Sequence, residues 1–154
     1  MQISNAFLQI IQRARVARFS TIDYKENMPH TVPVVFAFDD TYYYIPIDKK
    51  NKRQSVEKLK RIKNLQHNSN VALLIDEYSE DWTELVFVMI QGKAYLLGQE
   101  KELEDKGNNN DVNNPSLKEI HKLLYKKYPQ YKEVGIGQYC IMIQPQKIIS
   151  WKNK

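Results

Sequence analysis

The chain has 154 residues, 42% hydrophobic and 27% charged, enough for one domain with a sizeable core and too apolar for a disordered polypeptide. No apolar run reaches the roughly 18 residues of a membrane-spanning helix. The net charge is +5, which suggests an anionic partner without choosing among nucleic acid, membrane surface and phosphate ligand.

Ser4 is placed to cap a helix whose apolar face is Phe7, Leu8, Ile11 and Ala14. Val16 to Asp23, rich in Val, Phe, Thr and Ile, reads as a strand. Lys25 to Pro29 is turn chemistry, and Thr31 to Phe38 reads as a second strand. Asp39-Asp40 marks a tight turn into a third strand, Thr41 to Ile47. Such short connections favour antiparallel pairing. A helix with Asn51 as its cap follows, with Val56, Leu59, Ile62 and Leu65 as the buried stripe. Val71 to Asp76 and Leu85 to Leu97 read as strands, with a bulge or bend expected at Gly92. Gln99 to Pro115 is Asn-rich and is expected to be a mobile loop. Ser116-Leu-Lys-Glu119 forms a capping box for a helix that Pro129 ends. Gln138 to Ile149 reads as the last strand, interrupted by Pro145. Six strands and about three helices in one domain over residues 1–154 predict an antiparallel barrel with helices packed around it.

The lone Cys140 excludes an intrachain disulfide and fits a reducing compartment. The N-terminus lacks the pattern of a signal peptide, so a cytoplasmic location is expected. Cys140 lies in an apolar strand and reads as core; the scattered His30, His67 and His121 give no metal spacing, and no metal is expected. Gly135-Ile-Gly137 reads as a turn, and Asp76, Glu77, Glu80 and Asp81 as solvated loop carboxylates beside Trp82.

The charge is concentrated. Lys49 to Lys63 holds eight bases and one acid, Glu57, a net +7, so the rest of the chain sums to −2. Lys49, Lys50, Lys52 and Arg53 stand between a strand end and a helix start, where cations are unfavourable unless an anion neutralises them. A phosphate would take the free N–H groups, the helix dipole and the side chains together. Lys58, Lys60, Arg61 and Lys63 mostly fall off the apolar stripe and read as a solvated helix face.

Several segments, in order, resemble the pyridoxamine 5'-phosphate oxidase-like split barrels. They are Met28 to Phe36, Asp48 to Arg53, Asn68 to Ile75 and Val88 to Ala94. The basic strand Arg13 to Arg18, the pair Asp81-Trp82 and Tyr128-Pro-Gln-Tyr131 are similar to the deazaflavin-dependent subgroup. The resemblance implies a six-stranded antiparallel split β-barrel with about three peripheral helices. It implies a homodimer with FMN or the deazaflavin coenzyme F-420 at the subunit interface. It places Lys49, Lys52 and Arg53, with Lys50, on the cofactor phosphate, and Pro33, Val34 and Val35 along the ring system. Trp82 would come from the opposing subunit, and Trp151 would close the edge. The Arg-x-His motif of the true pyridoxamine phosphate oxidases is absent, so that reaction is not expected.

The implied activity is oxidoreduction, hydride moving between the cofactor ring and a small substrate. Tyr44 is one choice of proton donor among ten tyrosines. A non-catalytic flavin carrier is the alternative. A small-barrel nucleic-acid binder stacking bases on Tyr42, Tyr43 and Tyr44 is a further one. The −2 outside the basic segment argues against a long nucleic-acid track.

Overall fold

A computed structural model of the chain describes residues 2–48, 59–98 and 115–153. In chain order the elements are α1 (Asn5–Arg13), β1 (Ala17–Ile22), β2 (Pro29–Val34), β3 (Ala37–Phe38) and β4 (Tyr43–Pro46). Then come α2 (Lys60–His67), β5 (Asn70–Glu77), a 3₁₀ turn (Trp82–Glu84) and β6 (Val86–Gly98). α3 (Leu117–Lys127), α4 (Tyr131–Val134) and β7 (Tyr139–Lys152) complete the set.

The seven strands form one antiparallel sheet in the order β2-β1-β5-β6-β7-β4-β3. The two edge strands, β2 and β3, are consecutive in the chain and separated only by Val35 and Phe36. Val34 and Ala37 are three Cα steps apart, at most about 11 Å, so the sheet must curl to bring its two edges close there. The result is a barrel whose wall is interrupted where the chain leaves one edge for the other. Six strands were expected. The difference arises because Thr31 to Phe38, one run in the sequence, pairs with β1 up to Val34 and with β4 from Ala37.

The interior is filled from all sides by Phe19, Phe36, Tyr43, Ile45, Leu73, Ile75, Val88, Ile90, Ile141 and Ile143, with Ile10 and Ile11 of α1 packed in. A second cluster lies between α3 and the sheet, where Ile120, Leu124 and Tyr128 meet Tyr44, Cys140 and Met142. Tyr43 and Tyr44 are therefore core residues, 0% and 1% exposed, and neither is free to stack a base. Cys140 is likewise buried, and burial pushes its thiol up to about 12.

Several local expectations hold. Asp39 accepts the Thr41 and Tyr42 amides, with Asp40 at φ 74°, and this makes the turn into β4. Ser116 accepts the Glu119 amide at the start of α3. Ser4 precedes α1, but its hydroxyl makes no capping bond. The bulge at Gly92 is present: Gln91 faces Lys147 while Gly92 faces Pro145, leaving Gln146 as the extra residue. Pro145 sits at that bulge, and β7 continues through it rather than breaking. The acidic residues Asp76 and Glu77 belong to β5 and are paired, Asp76 with Arg18 and Glu77 with Nε and Nη2 of Arg13. The Asn-rich stretch and the proposed cap Asn51, with Val56, lie outside the described residues. Among the described residues no helix is long and apolar enough to cross a membrane.

α2 is held to the barrel by a polar clamp. Asn64, 0% exposed, donates to the Thr21 hydroxyl at 2.9 Å and accepts the Tyr24 amide at 3.1 Å. Lys60 in its first turn pairs with Asp23. That ammonium and the Lys25 and Glu26 amides hold the Asp23 carboxyl well below its ordinary range. Asn64→Leu leaves the buried Thr21 hydroxyl and Tyr24 amide without these partners, and we expect a loss of about 1–3 kcal/mol for each. Urea denaturation checks this; a change under about 0.5 kcal/mol, within the usual surface-substitution range, would contradict the clamp.

Candidate functional site

A cavity of about 300 Å³ opens beside the interrupted edge of the barrel. β2 supplies Pro33 and Val34, and Val35 begins the crossing to β3. Ile45 and Pro46 of β4, Val16 before β1, Asp48, Arg61 of α2 and Tyr131 of α4 complete the lining. Six of the nine lining residues are Val, Ile or Pro, and polar atoms share the exposed wall with them.

Arg61 is the unusual member. Its Nε is buried and has no hydrogen-bond partner among the described residues. Burial pulls its pKa down while Asp48 pushes it up, yet the two form no ion pair among the described contacts. A half-buried guanidinium whose Nε is left without a hydrogen bond carries a desolvation cost that an anion would relieve. Arg61 also lies in the first turn of α2, where a cation opposes the helix dipole. A phosphate would relieve both costs, because a guanidinium binds phosphate with paired N–H donors.

Tyr131 faces the same cavity, and burial pushes its phenol up to about 12. It is a neutral hydroxyl at ordinary pH and can donate a hydrogen bond into the site. Tyr128 closes the seam nearby. Its hydroxyl accepts the Phe36 amide at 3.3 Å and stands 2.9 Å from the Arg15 carbonyl, to which it donates. One side chain thus satisfies backbone groups on both sides of the gap.

Of the residues expected at the site, Pro33, Val34 and Val35 are brought together here. Lys49, Lys50, Lys52 and Arg53 lie outside the described residues. Trp82 and Trp151 do not line this cavity. Trp82 is on the 3₁₀ turn between β5 and β6, 66% exposed, and Trp151 stacks on Phe87 at 6.1 Å on β7. Tyr44 is spent on a 2.5 Å bond to Asp39 and lies in the core under α3. Arg61 and Tyr131 were not singled out from the sequence as ligands. The helix-face reading failed for Arg61 because α2 turns it toward the cavity beside the buried Ile62. A helix read as starting after Asn51 puts Arg61 in its interior, whereas the described α2 begins at Lys60 and puts Arg61 in the first turn. Among the described residues no group of three or more His, Cys, Asp or Glu could hold a metal.

This fold has known company. The family model described as pyridoxamine 5'-phosphate oxidase matches residues 3–131, and the chain belongs to that family. Among solved structures it is similar to HutZ, the heme storage protein of Vibrio cholerae, with TM-score 0.67 and 12% identity over 99% of this chain and 98% of that one. It is similar to a conserved hypothetical protein, Rv2991, of Mycobacterium tuberculosis, with TM-score 0.67 and 15% identity over 99% and 86%. A FAD-binding protein of Mesorhizobium loti gives TM-score 0.59 and 17% identity over 96% and 93%. At these identities the likeness establishes the shared fold. No curated protein matches the chain.

Proposed function

We propose that this protein is a flavin- or deazaflavin-dependent oxidoreductase that moves hydride to or from a small substrate. The observation that carries the reading is the half-buried guanidinium of Arg61, whose Nε has no partner among the described residues, at the cavity lined by Pro33, Val34 and Val35. Family membership and the FAD-binding neighbour support it.

In this reading the cofactor is FMN or coenzyme F-420, and it supplies the redox chemistry when bound. Val34, Val35 and Pro33 pack against the ring and exclude water from one face. Arg61 holds the phosphate, joined by Lys49, Lys50, Lys52 and Arg53 of the segment that follows Asp48. Tyr131 donates a hydrogen bond at the ring or the substrate. A cavity of about 300 Å³ is at the small end for a cofactor site. A homodimer would complete it, with Trp82 reaching in from the second copy and Trp151 at the edge. The exposure of Tyr78 (68%) and Trp82 (66%) on one β-hairpin end suits such a contact.

The test is the absorption spectrum of the purified protein, with mass spectrometry of what heat releases. A band near about 450 nm identifies a flavin and one near about 420 nm the deazaflavin. A colourless protein that binds neither on titration defeats the proposal. A bound cofactor that is reduced by donors but passes no hydride to any acceptor makes the protein a carrier instead.

A further inference from the structure

Near the cavity stands a pair of cations that are not among its lining residues. Lys127, the last residue of α3, lays its ammonium 3.8 Å from the centre of the Phe36 ring and 5.5 Å from that of Tyr128. Arg15 holds its guanidinium 4.4 Å from the Tyr128 ring centre and donates to the Lys127 carbonyl at 2.8 Å. Arg13, Arg18 and Lys60 each have a carboxylate partner, whereas Arg15 and Lys127 have none among the described residues. Burial, and then the charge of Arg15, push the Lys127 ammonium down to about 8.

Cation–π contacts stabilise each charge modestly. They do not remove the cost of gathering two like charges with one half-buried. An anion between them would. The position of the pair is equally informative. Arg15 directly precedes Val16, Phe36 directly follows Val35, and Tyr128 meets Tyr131 edge-on at 6.2 Å. Val16, Val35 and Tyr131 all line the cavity. Neither cation lines the cavity itself; the pair reaches its edge through the Tyr128 ring, which meets the lining residue Tyr131.

We propose that Arg15 and Lys127 recognise the carboxylate of a small flat substrate whose ring enters the cavity beside Val16, Val35 and Tyr131. The identity of that molecule as substrate rests on the cofactor reading above; the carboxylate site itself does not. The aliphatic walls accept the ring, and the cations at the rim fix its orientation.

The probes are 4-nitrobenzoate and its neutral isostere 4-nitrobenzamide, titrated calorimetrically into the protein with and without FMN. The proposal expects at least tenfold tighter binding of the benzoate. It expects Arg15→Gln and Lys127→Met each to lower that preference at least fivefold, with FMN affinity unchanged. Arg15→Lys should restore part of it, which a purely structural role for Arg15 would not give. Near-ultraviolet circular dichroism confirms that each variant is folded. Equal binding of the two probes, or an unchanged preference in both variants, overturns the proposal. So does inorganic phosphate displacing the benzoate at equal concentration, which would mark a bare anion site. A parallel loss of FMN affinity would reassign the pair to the cofactor phosphate and also overturns it. A benzoate preference in a protein that binds no flavin or deazaflavin would retain the carboxylate site while defeating the cofactor reading.

Discussion

Arg61→Gln should weaken flavin binding about 10- to 100-fold, the loss of one or two charge-assisted hydrogen bonds to phosphate. The same substitution should make the cofactor-free protein more stable, not less. Among the described residues the buried Arg61 Nε has no partner, so the cofactor-free native state carries a desolvation cost that glutamine reduces. Opposite signs for affinity and stability separate a ligand-holding arginine from a structural one. Fluorescence titration with FMN, or absorbance titration with coenzyme F-420, gives the first quantity, and thermal unfolding of the apoprotein gives the second. A variant that loses stability and keeps its affinity would show Arg61 to be a packing residue.

Gly92→Ala should cost about 3 kcal/mol or more, since overpacking against rigid atoms commonly costs 1–3 and backbone cannot step aside. A Cβ built at Gly92 falls 2.1 Å from the Gln144 carbonyl oxygen and 3.0 Å from the Pro145 Cα. These atoms belong to the bulged part of β7, so relief requires shifting the longest strand pair in the sheet. Gly98→Ala provides the contrast. Its Cβ falls 2.3 Å from the Tyr139 ring, a side chain that can swing aside at the end of β6. We expect about 1 kcal/mol there, the low end of overpacking costs. Urea midpoints of the two variants, compared at equal slope, decide the matter. Equal and small losses would mean that the bulge can move.

Much of the barrel was legible because alternation and β-branched runs are local signals. β5 and β6 fall within a residue or two of the ranges read from the sequence, and the Asp39-Asp40 turn and the Ser116 cap are where their side chains predict. The division of Thr31 to Phe38 was not legible. It depends on which strand each half pairs with, and pairing partners leave no mark in one continuous apolar run. Gly135 at φ 75° and the two residues of positive φ at Asn27 and Asp40 sit in segments read as turns.

The site was legible in part. Pro33, Val34 and Val35, which the resemblance places along the cofactor ring, line one cavity. Arg61 escaped because counting helix faces treats every base off the apolar stripe as solvated, while α2 is short and its first turn abuts the cavity. Cations at a helix start call for an anion; Lys49 to Arg53, of which this was expected, lie outside the described residues, and in the described structure it bears on Arg61, in the first turn of α2. Tyr128 carried no sequence signal for its seam role, since its partners are backbone groups of Arg15 and Phe36.

That seam has a consequence for the order of folding. The amide it secures at Phe36 waits for a hydroxyl 92 residues further along the chain. Contacts of such separation form after the local hairpins, because the loop-closure entropy must be met first. A growing chain can therefore pair β1 with β2 early but cannot seal the wall until residue 128 has been made. Through that interval the Val35–Phe36 crossing is open to water and to other chains, so the stretch that will line the cavity is also the stretch most exposed to misassembly during synthesis.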